Sequence, residues 1–177
     1  MKINRHFFQL LGLFLLLVVF QEFVVDKLPL GTYISPEVYL IFILMLPFQY
    51  STIKSMLWAF LLGMTIDLCS YGILGLHAIP LVAVAFFRPQ LLKMVTATNN
   101  IESLQIPSAR TLDFRPFLSY VILSSLGYIT VLFCLDNYNF HNLPHLLMRI
   151  LLSAVVTTLF IVVLQYAFTG IQQNNRR

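Results

Sequence analysis

Charged side chains are scarce in this sequence, in which Lys, Arg, Asp and Glu together make up 10% of the 177 residues. Soluble domains carry about 25% charged and about 45–50% apolar residues. This chain is instead 59% hydrophobic, with a mean hydropathy of +0.84. Its longest polar stretch, 93–115, is too short for a second domain. The composition therefore excludes a soluble protein and predicts a single transmembrane domain over residues 1–177.

Cysteine is also rare, because Cys69 and Cys134 are the only two in the chain. Two thiols are too few for a disulfide framework or a cysteine metal cluster, so we expect no metal site. Glycine-rich phosphate loops and nucleic-acid-binding motifs are missing as well. The net charge of +4 comes from cations that flank apolar runs and do not gather on one soluble face. We therefore expect no cofactor and no nucleic-acid partner.

Long apolar runs dominate what is present. A hydrocarbon core about 30 Å thick needs about 20 apolar residues per helix. Six segments qualify: Phe7–Val25, Pro36–Ser51, Ser55–Tyr71, Leu74–Leu92, Pro116–Leu135 and Leu146–Phe168. The second is short and contains Pro47, so we expect it to be tilted, kinked or only partly spanning. The pattern predicts an all-α integral membrane protein with six transmembrane helices.

Basic residues are distributed unevenly among the predicted loops. With a cytoplasmic N-terminus, nine of the eleven Lys and Arg residues lie on the cytoplasmic side, and Lys27 and Arg149 lie outside. Such an excess in short loops is typical of the cytoplasmic side of membrane proteins. The bias predicts that both termini and the loop 93–115 are cytoplasmic. Because basic ends attract acidic headgroups, we also expect anionic lipid at the cytoplasmic face.

Asp67 is the only formally charged residue in the stretch 56–87. A carboxylate inside a membrane segment costs roughly 2.5–3.5 kcal/mol on insertion scales, and such groups usually face the bundle interior and pair. Arg149 is predicted at a similar depth, near the outer end of the sixth helix. We hypothesise an outer-leaflet polar cluster of Asp67 and Arg149, extended by His77 or His145. Its role is either structural pairing of helices three and six, or contact with a partner or ligand.

Catalytic arrangements are poorly supported by the same residues. Glu22 is a second acid at this leaflet, but no spacing requires it to meet Asp67 as an aspartyl-type pair. Ser70 and His77 are separated by a turn and lack the Gly-x-Ser-x-Gly context of a serine nucleophile. We therefore expect that the protein is not an enzyme.

The surroundings of Asp67 form a hairpin motif, Gly-x-x-x-Asp-x-x-Ser-x-x-x-x-Gly-x-x-Ala. Its residues are Gly63, Asp67, Ser70, Gly75 and Ala78. Together with six predicted helices and basic cytoplasmic ends, this motif resembles the MreD family of rod shape-determining proteins. The long polar loop departs from the family pattern and is interpreted as an insertion.

The resemblance implies a fold similar to the substrate-binding subunits of energy-coupling factor transporters. It implies a multi-pass protein of the bacterial cytoplasmic (inner) membrane and a non-enzymatic scaffold role in cell elongation, maintaining rod shape by organising peptidoglycan synthesis. The implied partners are an MreC-like single-pass membrane protein, MreB, RodZ and the RodA–transpeptidase pair. The candidate helix-pairing or partner-docking residues are Asp67, Arg149, Gly63, Ser70, Gly75 and His77.

A small-solute uptake subunit of an energy-coupling factor type transporter is the alternative function. Such a subunit needs a polar, aromatic-lined pocket between the helices and the outer loops. It also needs small-residue coupling motifs on a helix that faces the cytoplasm. No Ala-x-x-x-Ala motif occurs at the predicted cytoplasmic ends, which favours the scaffold.

Overall fold

The computed structural model describes residues 2–29, 31, 34–70, 73–96, 107–108, 111–136 and 143–174. The regular secondary structure within these ranges is helical, with no strand. The helices are α1 (Lys2–Phe20), α2 (Leu40–Leu44), α3 (Thr52–Cys69), α4 (Ala78–Val95), α5 (Phe114–Asp136) and α6 (Leu143–Asn174), and a π-helical turn, Gln21–Val25, extends α1. Most of the expected loop 93–115 and part of the loop before α6 lie outside the described residues.

Five of the described helices are long and apolar enough to cross a membrane. These spans cover Phe7–Val25, Thr52–Cys69, Ala78–Val95, Phe114–Asp136 and Leu143–Ala167. The expected class, a multi-pass all-α membrane protein, is therefore confirmed. The sixth helix begins earlier than expected, at Leu143, because Pro144 is tolerated in a first turn where its missing N–H has no intrahelical partner.

The second apolar segment, Pro36–Ser51, does not form a long helix. Only the five residues of α2 are helical, and Val38 to Leu44 are almost completely buried. This run has no polar face, so it is favourable only when other helices surround it on all sides. Its non-helical backbone at membrane depth is tolerated for the same reason, since it lies within the protein and away from lipid.

Helices α1 and α3 run in the same direction. At one end Ser70 Oγ donates a hydrogen bond to Glu22 Oε1 at 2.8 Å. At the other end the ring centroids of Phe7 and Trp58 lie 5.9 Å apart. The connection between α1 and α3 therefore carries the chain back along the bundle through the segment 36–51. Residues 36–44 of this connection are all buried and are called the buried segment below.

The remaining helices pack in sequence around this segment. Helix α3 contacts α4, α4 contacts α5, and α5 contacts α6, while α2 touches α1, α3 and α4. Small polar residues of α6 accept hydrogen bonds from backbone amides that enter the buried segment. The Ser35 N–H donates to Ser153 Oγ, and the Glu37 N–H to Thr157 Oγ1, each at 3.1 Å. These bonds satisfy donors that the non-helical backbone leaves unpaired.

Candidate functional site

The hairpin of α3 and α4 places Asp67, near the end of α3, beside the turn that leads into α4. Asp67 Oδ2 accepts a hydrogen bond from the Gly75 N–H at 2.8 Å, and Oδ1 accepts one from the His77 N–H at 3.0 Å. His77 Nδ1 lies 2.7 Å from the same Oδ1. A carboxylate only accepts, so His77 carries its proton on Nδ1 in this pair. The fully buried Asp67 therefore bonds to the N-cap residue of α4 and to the turn before it, beside a helix N-terminus whose dipole favours an anion; this arrangement is called the Asp67 cap.

Two glycines of the hairpin are required by its geometry. A Cβ on Gly63 would overlap with Ala78 Cα, so α3 and α4 approach closely only because no side chain intervenes. Gly75 has φ +95°, a left-handed conformation that other residues adopt only with strain. Ser70 Oγ lies 2.9 Å from Ile66 O as well as 2.8 Å from Glu22 Oε1, so its single proton is shared between an acceptor on its own helix and one at the end of α1. All five motif residues thus have a contact within the fold.

The expected ion pair between Asp67 and Arg149 does not form. The hydrogen bonds described above already engage both Asp67 oxygens, and Arg149 Cζ instead lies 4.5 Å from the centroid of the Phe133 ring on α5. A guanidinium over an aromatic face is attracted by the ring quadrupole. The expected participation of His77 is found, whereas His145 is an exposed residue of the first turn of α6. The depth that the sequence predicts for Arg149 therefore does not identify its neighbour, Phe133.

Gln21 is a site residue that sequence reasoning missed. Its side chain is buried, and Nε2 donates to Asp26 Oδ1 at 2.8 Å and to Pro36 O at 2.9 Å. Its Oε1 accepts from the Val38 N–H at 3.0 Å. The available signal was a lone amide at the end of an apolar run, next to the more conspicuous Glu22. Gln21 joins the end of α1 to the entrance of the buried segment.

Two further polar groups lie at this end of the bundle, the Asp26 carboxyl and a pair of tyrosine hydroxyls. Partial burial raises the pKa of the Asp26 carboxyl, and the hydrogen bond from Gln21 opposes that shift. The Tyr39 and Tyr128 hydroxyls lie 2.5 Å apart, which links the buried segment to α5. The polar groups at this end therefore bond mainly to one another and to the backbone.

The outer surface of the hairpin is apolar. Leu68, Ile73, Leu74 and Ile79 are more than half exposed, and Phe23 at the end of α1 is 74% exposed. In a membrane such side chains face lipid or a neighbouring helix. The hairpin thus combines a fully bonded interior with a lateral apolar surface.

The fold and the site together define the protein as a multi-pass helical membrane protein. Comparisons with protein-family models, curated proteins and solved structures found no match to this chain.

Proposed function

We propose that the protein is a non-enzymatic scaffold of the bacterial cell-elongation machinery, located in the cytoplasmic membrane and similar in role to the MreD family. The observation that supports it is the α3–α4 hairpin, in which each residue of the matching motif makes a structural contact. Asp67 caps α4, Gly63 admits Ala78, and Ser70 reaches α1. A scaffold needs such a rigid interior because its partners bind to its surfaces.

The proposal includes six membrane crossings with both termini in the cytoplasm. The parallel course of α1 and α3 supports this count, because the segment 36–51 returns the chain between them. Six crossings also agree with the nine of eleven Lys and Arg residues on one side. In this orientation the α3–α4 turn faces outward, where an MreC-like partner has its periplasmic domain.

Gly127 on α5 is the contact point that we propose for the partner's transmembrane helix. It is exposed, and a Cβ at this position would meet no atom within 4 Å, so packing within this chain does not explain a glycine there. Thr130 and Cys134 are exposed on the same face at helical spacing. Small residues facing lipid allow another helix to approach closely.

Depletion with microscopy, combined with co-purification in mild detergent, tests the scaffold role. We expect depleted cells to lose their rod shape and an MreC-like protein to be recovered with the tagged chain. Rod-shaped depleted cells with no such partner would reject the proposal. A small molecule retained through purification would instead favour the uptake subunit.

A Gly127→Leu variant tests the contact point separately. It should fold normally, because the space around Gly127 is open, but it should recover much less partner and complement depletion poorly. Gly12→Leu is the matched control, since Gly12 on α1 is equally exposed and open. Equal partner recovery by both variants would show that the partner binds at another surface, without rejecting the scaffold role.

A further inference from the structure

A cavity of about 280 Å³ lies at the opposite end of the bundle from the Asp67 cap. The connection from α2 into α3 forms one wall, with Phe48, Ser51 and Ser55, and the second half of α4 forms the other, with Arg88 and Lys93. Both charged residues among its described lining are cations. The cavity therefore has a positive potential.

Arg88 is the central feature of this cavity. The side chain is only 4% exposed, and its Nη2 donates to Leu46 O. Its Cζ lies 5.8 Å from the Phe48 ring centroid, while Nε has no hydrogen-bond partner among the described residues. No carboxylate within the described ranges forms an ion pair with it. Guanidinium remains protonated in proteins, so this buried charge has no counter-ion in the part of the chain that the structure describes.

Other donors converge on the same space. Ser55 is 1% exposed, and its Oγ has no hydrogen-bond partner within the described ranges. The 18-residue helix α3 begins beside it, with Ser51 as the N-terminal cap that accepts from the Lys54 N–H. Helix N-termini favour anions through free amides and the helix dipole. The cavity thus combines a guanidinium N–H, a hydroxyl, an ammonium and a helix N-terminus.

The exterior beside the cavity is apolar. Ile53 and Met94 are each 79% exposed, and Leu57 is 59% exposed. Ile53 follows the lining residue Thr52 on α3, and Met94 follows the lining residue Lys93 on α4, so an anion bound in the cavity would have hydrocarbon next to it. A phospholipid has this combination, with a phosphodiester attached to acyl chains.

We propose that this cavity binds the phosphate of an anionic phospholipid, with Arg88 Nε and Ser55 Oγ donating to the phosphate oxygens and Lys93 neutralising charge at the mouth. The proposal replaces a diffuse attraction between basic ends and acidic lipid with one defined site. It does not depend on the scaffold role or on the partner at Gly127.

The test uses the purified full chain in neutral detergent with three probes: phosphatidylglycerol, phosphatidylcholine and inorganic phosphate. Native mass spectrometry and thermal unfolding report binding. We expect phosphatidylglycerol to bind roughly tenfold more tightly than phosphatidylcholine, because both carry the phosphodiester but the cationic lining repels the trimethylammonium group of phosphatidylcholine. Arg88→Met should abolish this preference, while Lys54→Gln, which removes an exposed cation outside the cavity, should retain it.

The outcomes separate the possible ligands. An unchanged preference in Arg88→Met would overturn the site. Inorganic phosphate that stabilises the wild type as much as phosphatidylglycerol does would overturn the lipid source and assign a free anion. If Arg88→Met does not fold, the same lipid preference is measured with Ser55→Ala, which removes only one hydroxyl and should fold. A several-fold weaker preference supports the site, and an unchanged one rejects it.

Discussion

At the scale of single residues, Asp67 carries a charge that is costly to bury but is stabilised by its hydrogen bonds within the fold. Its carboxylate replaces hydration with bonds to two amides and an imidazole, all from Gly75 and His77 immediately before α4. The side chain is inaccessible, so a direct role in binding a partner would require this cap to open. Asp67 therefore acts on the surface only through the hairpin that it holds.

Replacing Asp67 by Ala should lower the free energy of unfolding by about 1–3 kcal/mol, because the Gly75 and His77 amides lose their acceptor inside the fold. Asp67→Asn should lower it less, since one carbonyl oxygen still accepts. Thermal or denaturant unfolding in detergent measures both changes. A wild-type stability for Asp67→Ala would contradict the cap.

A double-mutant cycle distinguishes the cap from the ion pair that sequence suggested. Asp67 bonds to α4, whereas Arg149 contacts Phe133 on α5. The effects of Asp67→Ala and Arg149→Ala should therefore add within about 0.3–0.5 kcal/mol, as for independent sites. A coupling free energy well above about 1 kcal/mol would restore the pair between α3 and α6.

At the scale of elements, the α3–α4 hairpin depends on close approach of two backbones. Gly63→Ala should cost about 1–3 kcal/mol or more in unfolding free energy, because its Cβ would meet Ala78 backbone atoms that cannot rotate away. Gly12→Ala, at an open position of α1, should be neutral or stabilising through helix propensity. Equal stability of the two variants in a thermal unfolding assay would show that the hairpin is looser than described.

At the scale of the whole molecule, the return of the chain between α1 and α3 decides the topology. Cysteine accessibility tests it in a chain carrying Cys69→Ser and Cys134→Ser, both at exposed positions. With six crossings, a membrane-impermeant thiol reagent should label Lys27→Cys in intact cells. It should label Asn4→Cys and Lys54→Cys only after permeabilisation. Labelling of Asn4→Cys and Lys54→Cys from opposite sides would exclude the return.

Sequence reasoning recovered the parts of this molecule that depend on local composition. Apolar runs predicted the membrane class and the approximate spans of α1, α3, α4, α5 and α6. The run 36–51 is predicted as a helix, whereas only Leu40–Leu44 are helical, because the burial of residues 36–44 gives this segment the same apolar composition as a spanning helix. Gln21 and Arg88 were missed as buried groups, because their partners, Pro36 O and Leu46 O, are backbone atoms without a signature in the sequence.

By itself, the sequence determined that this chain belongs in a membrane, since its apolar content leaves no soluble alternative. It also singled out the Asp67 hairpin, because a lone charged residue in an apolar segment can be recognised from the sequence without a structure. The tertiary structure alone decided what Asp67 bonds to, that 36–44 is enclosed, and that Arg88 lies in a cavity without a counter-ion among the described residues. These are contacts between residues 8 to 42 positions apart, as from Asp67 to Gly75 and from Leu46 to Arg88. Periodicity and hydropathy indicate only which faces of a segment are apolar and which are polar, so they cannot identify which distant residues are in contact.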